Sequence, residues 1–198
     1  MIKKITATVS LLALALPAQA QLVEEARIGV MDHNICIANC KNANKEGSPN
    51  IEGELVFKSP ELLSFAFKPR PYLVASLNTA GDTNFGGFGL LWNWDFAEGW
   101  SIEPGIGYVL HDGINDPQFD PGDPNFLTLA EERIFFGSTD LFRTSLAINR
   151  DFNDRWGVQL QYEHLSHGQI IGNGRNQGVD NIGARIYWRF GAGCKCDE

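Results

Sequence analysis

Apolar and polar side chains alternate along most of this chain, and this alternation constrains the fold more than any other feature. From residue 100 to 111, the even positions are mainly apolar or aromatic and the odd positions mainly small, polar or charged. A period of two places successive side chains on opposite faces of a β-strand. The chain is therefore predicted to be all-β and antiparallel, with eight strands. The other seven lie at about 26–30, 51–57, 71–77, 87–96, 142–152, 156–166 and 182–190.

Two architectures accommodate strands with one apolar and one polar face. A soluble sandwich buries the apolar faces, whereas an outer-membrane β-barrel turns them to lipid and packs the polar faces in its lumen. We favour the barrel because the inward positions combine glycines with both signs of charge, as a narrow eight-stranded lumen requires. Tryptophans at the strand ends also match the aromatic girdles of membrane barrels. The charged inward residues are Arg27, Glu52, Glu54, Glu103, Arg143, Glu163, Arg185 and Arg189.

The first 20 residues are predicted to be a cleaved signal peptide, which leaves 21–198 as a single barrel domain. Lys3 and Lys4 precede an apolar stretch, and residues 18–20 supply the small side chains of a cleavage site. Removing the two lysines of this segment, which has no acidic residue, changes the formal net charge from −8 to −10. Such an acidic chain is not expected to bind nucleic acid.

Four cysteines remain in the exported chain, at positions 36, 40, 194 and 196. An exported chain meets oxidising surroundings, so a disulfide is expected, with Cys36 and Cys40 as the favoured pair. No histidines at zinc spacing accompany the cysteines, and the acidic residues of the third outer loop lack calcium-loop spacing. We therefore expect no metal or other cofactor, and a solvated acidic loop that contains Asp116, Asp120 and Asp123.

Connection lengths orient the predicted barrel, since the longer loops of outer-membrane barrels lie outside the cell. Three of the four connections placed outside are long. His33 and His111 lie at loop edges, where we expect them to be solvated. The outer loops are predicted at about 33–50, 79–83, 111–132 and 167–178, and the inner turns at about 58–69, 95–99 and 152–155.

The seventh strand carries the one set of residues with a chemical interpretation. Its even positions end in His164 and Ser166, which therefore point to the lipid-facing side. Residues two apart on a strand have Cα atoms about 6.6 Å apart and side chains on the same face. A serine beside a histidine base is the minimum for nucleophilic acyl transfer, and a carboxylate that orients the imidazole completes it. Asp180 opens the eighth strand on the same parity, so the hairpin should bring it beside the pair.

Strand direction places these three residues near the outer leaflet. Ser166 lies about ten residues, or one membrane thickness, beyond the periplasmic boundary at Trp156. The lipids there carry ester-linked acyl chains on a phosphorylated sugar. The alternative interpretation is that His164 and Ser166 only contact lipid headgroups. Glu163 points into the lumen, where we expect it to pair with Arg185 or Arg189.

The residues around this set resemble a known family. Segment 162–166, Tyr-Glu-His-Leu-Ser, and segment 176–181, Asn-Gln-Gly-Val-Asp-Asn, are similar to the carboxy-terminal signature of the lipid A 3-O-deacylases, also labelled acyloxyacyl hydrolases. The resemblance implies an outer-membrane esterase that cleaves the 3-O-linked acyl chain of lipid A. It also implies that His164 is the general base, Ser166 the nucleophile and an acidic residue, here Asp180, the orienting group.

This sequence departs from the family pattern after the serine. Asparagine and, two residues further on, glycine help to hold the oxyanion in the family, but His167 and Gln169 stand here. The acid is also Asp rather than Glu and lies farther along the chain. The predicted oxyanion donors are His167, the backbone N–H of the flexible Gly168, and Gln169.

The predicted partner is lipid A of lipopolysaccharide in the outer leaflet, and a homodimer is left open. The alternative function is that of a non-catalytic outer-membrane barrel. Such a protein would serve adhesion, structure or small-molecule transport, with its function carried by the first and third loops.

Overall fold

One closed antiparallel sheet makes up the computed structural model, which describes residues 22–37, 40–42, 44–172 and 174–191. The predicted signal peptide, Cys194 and Cys196 lie outside the described residues. The last strand pairs with the first, and β4 and β5 both pair with β6 as two parts of one barrel strand. The predicted eight-stranded antiparallel barrel is therefore confirmed. The strands are β1 (Val23–Asp32), β2 (Asn50–Phe57), β3 (Arg70–Asn78), β4 (Phe85–Leu91), β5 (Trp94–Ala97), β6 (Trp100–His111), β7 (Asp140–Asp151), β8 (Trp156–Ser166) and β9 (Val179–Arg189).

Burial follows the predicted alternation. In β7 and β8, nearly all odd-numbered side chains are buried and the even-numbered ones face outward. Large apolar side chains are exposed on this outer face, including Ile28 and Leu160, each at 55%. A sandwich in water would bury such residues, whereas a barrel in lipid presents them to acyl chains. No helix among the described residues is long and apolar enough to cross a membrane.

Ion pairs fill the lumen. Arg143 and Arg185 are 0% and 1% exposed, and each contacts carboxylates from other strands. Pairing of this kind offsets the cost of removing charged groups from water. The mixed-charge lumen is confirmed, but the partner predicted for Glu163 is wrong. Its Oε2 accepts from Arg143 Nε at 2.6 Å, because Arg143 lies diagonally across the β7–β8 pair.

The third outer loop differs most from the sequence prediction. It continues beyond residue 132 to the start of β7 and contains helix α1 (Pro124–Glu132). The carboxylate of Asp123 caps this helix by accepting from the Asn125 N–H at 2.8 Å. After the helix, Phe136 is fully buried, and its ring centroid lies 4.3 Å from that of His111. The expectation that His111 is solvated is therefore wrong, because the loop folds back onto it.

Glu46 connects three outer loops. Its carboxylate accepts from Arg133 Nε at 2.9 Å, from the Ile134 N–H at 3.0 Å and from Thr83 Oγ1 at 2.7 Å. Burial opposes its ionisation, but these hydrogen bonds and one with His33 lower the pKa of Glu46 to about 2. His33, expected to be solvated, is 2% exposed. The outer loops thus form one connected layer above the barrel.

The first outer loop reaches across to the loop that follows β8. Cys36 and Cys40 form a disulfide, which confirms the favoured pairing. Asn34, whose φ is 57°, donates from Nδ2 to the Asn42 carbonyl at 2.7 Å. Asn42 Nδ2 in turn donates to the Gly178 carbonyl at 2.7 Å. The first loop therefore supports the backbone that leads into Asp180.

Candidate active site

His164 and Asp180 face each other on neighbouring strands. They are direct cross-strand partners of β8 and β9, and His164 Nδ1 lies 2.6 Å from Asp180 Oδ1. The Asp180 side chain is fully buried, whereas the His164 side chain is 28% exposed. A buried carboxylate at this distance favours the tautomer protonated on Nδ1, which leaves the Nε2 lone pair to accept a proton. The hairpin thus brings the predicted acid directly beside the predicted base.

Tyr162 is a second donor to the same carboxylate. Its hydroxyl donates to Asp180 Oδ1 at 2.9 Å. Tyr162 pairs in register with Ile182, so its hydroxyl reaches Asp180 diagonally across the hairpin. Two donors on one oxygen hold the carboxylate in position and reduce the cost of burying it. Parity places Tyr162 on the face of His164, but only the register shows that its hydroxyl reaches the acid.

Ser166 ends β8 on the same outward face as His164, two residues farther along. In the part of the chain that the structure describes, no hydrogen bond joins its hydroxyl to His164. An ideal Cβ built on Gly178 would lie 3.0 Å from Ser166 Cβ and 3.1 Å from His164 Cε1. Both side chains therefore border one small space. Catalytic hydrogen bonds are often long without substrate, so this arrangement fits a nucleophile and its base.

The space at Gly178 leads to a testable prediction. A methyl group there would also meet the Leu165 carbonyl oxygen at 2.7 Å, so Gly178→Ala must displace the serine, the histidine or their backbone. We expect kcat/KM for ester hydrolysis to fall about 100-fold, since a shift near 1 Å misaligns reacting groups. The matched control is Gly47→Ala, where a Cβ meets nothing within 4 Å. Unchanged hydrolysis by a folded Gly178→Ala protein would contradict the assignment of Ser166 and His164 as nucleophile and base.

The residues after Ser166 form a tight turn. Gly168 and Gln169 have φ of 61° and 58°, both in the left-handed region. His167 is fully buried, with Nε2 2.9 Å from the Arg175 carbonyl and Nδ1 accepting from the Gln169 N–H at 3.2 Å. Gln169 Nε2 donates to the Gly174 carbonyl at 3.0 Å. The role of residues His167 to Gln169 as oxyanion donors stays a prediction. The side chains of His167 and Gln169 hold the loop, and the Gln169 N–H donates to His167 Nδ1, so the backbone N–H of Gly168 remains as the predicted backbone donor.

A groove of about 600 Å³ lies on the outer surface of the barrel. Phe142 lines the groove and is also the cross-strand partner of Ser166 on β7. The lining is almost entirely apolar. Its outward side chains include Leu73, Phe88, Leu90, Ile106, Tyr108 and Phe142. Within the described ranges, no group of three or more His, Cys, Asp or Glu residues is placed to hold a metal ion.

The chain is similar to known proteins in sequence and in fold. The family model for lipid A 3-O-deacylase (PagL) matches residues 72–189, which include the three candidate catalytic residues. A search of curated proteins finds no match. The crystal structure of the outer membrane enzyme PagL aligns with a TM-score of 0.56 at 13% identity, covering 83% of this chain and 97% of that one. A de novo designed transmembrane β-barrel aligns with a TM-score of 0.51 at 6% identity, covering 87% of this chain and 98% of that one.

Proposed function

Since this chain belongs to the lipid A 3-O-deacylase family, we propose that it removes the 3-O-linked acyl chain of lipid A through Ser166, His164 and Asp180. The observation that carries the proposal is the 2.6 Å contact between His164 Nδ1 and Asp180 Oδ1, two residues from an outward serine. This arrangement supplies a nucleophile, a base and a buried anion that orients the base. No cofactor is required for ester cleavage by such a set.

Each residue has one role in the proposed mechanism. His164 Nε2 takes the proton of Ser166 Oγ while that oxygen attacks the ester carbonyl, and Asp180 stabilises the imidazolium that forms. The backbone N–H of Gly168, in the turn after Ser166, binds the oxyanion of the tetrahedral intermediate. His164 then protonates the departing sugar hydroxyl. Water hydrolyses the acyl-enzyme with the same histidine as base, which regenerates the serine.

The groove beside Phe142 suits the acyl chain of such a substrate. A chain that leaves the lipid leaflet for an apolar groove exchanges one apolar environment for another, so burial there contributes little affinity. The groove instead aligns the substrate with the serine, because it holds the first carbons of the acyl chain while the ester lies at Ser166. The role is supported by an apolar surface that extends across β3, β4, β6 and β7 and includes Phe142, the cross-strand partner of Ser166.

The proposed site faces the outer leaflet of the outer membrane. The long connections after β1, β6 and β8 all leave one end of the barrel, and short turns such as 152–155 join the strands at the other. Long loops mark the outer end of such barrels, and Ser166 is the last residue of β8 at that end. In this proposal, residues 1–20 are removed on export and 21–198 form the single barrel domain.

Mass spectrometry of lipid A tests the function. Lipid A from cells that express the chain should lose the mass of one 3-O-linked acyl group, whereas empty-vector cells should keep it. Heat-modifiable gel mobility of the membrane fraction establishes that the barrel has folded. Fully acylated lipid A in the presence of folded protein would contradict the enzymatic function and favour the non-catalytic barrel.

A further inference from the structure

Two cations from different loops lie over one buried aromatic ring at the outer end of the barrel. Phe135 is fully buried, with Lys45 Nζ 6.0 Å and Arg175 Cζ 5.2 Å from its ring centroid. Arg175 Cζ also lies 6.0 Å from the ring centroid of Phe126. The negative face of an aromatic ring attracts a cation without neutralising its charge. The rings therefore hold both groups in place and leave them able to bind an anion.

Neither cation is neutralised by a carboxylate of the part of the chain that the structure describes. Among the described residues, no carboxylate lies within ion-pair distance of Lys45 or Arg175, whereas nearby Arg133 binds Glu46 at 2.9 Å. The pKa of Lys45 is lowered, first by burial and then by the charge of Arg175, with Glu46 opposing. Two cations near enough for one to lower the pKa of the other repel each other, and an anion between or beside them offsets this repulsion. This pair therefore has the electrostatics of an anion site.

The anion site is joined directly to the catalytic turn. The Arg175 carbonyl contacts His167 Nε2 at 2.9 Å, and His167 directly follows Ser166. Gln177 donates from its N–H to the Phe135 carbonyl at 3.2 Å and accepts from the Phe135 N–H at 2.8 Å. Arg175 is three residues from Gly178, so their Cα atoms are at most about 11 Å apart. This separation is comparable to the size of a sugar and its substituents.

We propose that Lys45 and Arg175 bind the phosphate group of a phosphorylated sugar lipid whose ester lies at Ser166. The inference rests on the proposed deacylase function. It assigns the part of the substrate that determines which ester lies at Ser166. A phosphate monoester carries up to two negative charges, which match two cations, and its oxygens accept from the guanidinium fork. A sugar held by its phosphate at one point and by its acyl chain at another presents one ester to the serine.

The test compares deacylation of lipid A with that of chemically dephosphorylated lipid A in mixed detergent micelles. The wild type should prefer the phosphorylated lipid by about tenfold or more in kcat/KM, as expected for charge-assisted contacts. In Lys45→Gln/Arg175→Gln, the ratio of the two kcat/KM values should fall close to one. The matched control Lys68→Gln/Arg155→Gln removes two exposed cations from turns at the opposite end of the barrel and should keep the preference.

The outcomes separate this inference from the function on which it rests. An active wild type with no preference, or a double variant that retains the wild-type preference, overturns the phosphate site and leaves the deacylase function standing. A folded wild type that hydrolyses neither lipid overturns both. If the double variant does not fold, each single variant is measured instead and should lose part of the preference; an unchanged ratio in both would overturn the site.

Discussion

Ser166→Ala is expected to lower the rate of lipid A deacylation by about 10⁴-fold or more while the barrel stays folded. The serine oxygen forms the covalent intermediate in the proposed mechanism, so its removal leaves only the residual effect of substrate binding and oxyanion stabilisation. The residue ends β8 and points outward, where loss of one oxygen creates no buried cavity. Mass spectrometry of lipid A should therefore show the fully acylated species alone.

The control for this variant is Ser64, an exposed serine far from the candidate site. Ser64 lies in the 3-10 segment Glu61–Ala66 of the turn at the opposite end of the barrel, and Ser64→Ala should deacylate as the wild type does. Both proteins should show the same heat-modifiable mobility. Deacylation by Ser166→Ala at the wild-type rate would refute the assignment of the nucleophile, even if the family activity were present.

Asp180→Asn is expected to lower kcat/KM by about 10³- to 10⁴-fold. An amide is neutral, so it stabilises the imidazolium of His164 less, and its NH₂ group can favour the wrong imidazole tautomer. The hydroxyl of Tyr162 still finds an acceptor in the amide oxygen, so the fold around the side chain should persist. Kinetics on a soluble ester and on lipid A measure the loss, with gel mobility as the check on folding.

Asp140 provides a matched control for this prediction. It also accepts from a tyrosine, Tyr108 Oη at 2.6 Å, and, like Asp180, it lies within the first two residues of a strand. It has no histidine hydrogen-bonded to it in the described structure. Asp140→Asn should therefore reduce kcat/KM less than about tenfold, as expected for loss of one hydrogen bond. Equal losses in the two variants would show that the effect of Asp180→Asn comes from the fold rather than from the histidine.

Parity predicted much of the barrel and part of the candidate site. The alternation from β6 to β9 located the strands within a few residues and placed His164 and Ser166 outward. Hairpin geometry then predicted that Asp180 would lie beside them, and Asp180 proved to be the cross-strand partner of His164. These predictions worked because strand parity and hairpin closure are local properties of the chain.

The loops were predicted less well. The buried segment around Phe136, the capping role of Asp123 and the use of both His167 ring nitrogens all depend on residues distant in sequence. The partner of Glu163 was wrong for a related reason. Several inward arginines satisfy the alternation equally well, and only the register between β7 and β8 selects Arg143.

The sequence by itself determined that the chain forms a membrane-type barrel, because a period of two is imposed on each strand by its own backbone. It also determined the face on which Ser166 and His164 lie. Only the tertiary structure decided what surrounds them: the contacts of His164 and Tyr162 with Asp180, the space at Gly178, and the cations gathered on Phe135. These contacts join segments from separate loops and strands, and their positions follow from the closure of the whole barrel rather than from any local pattern.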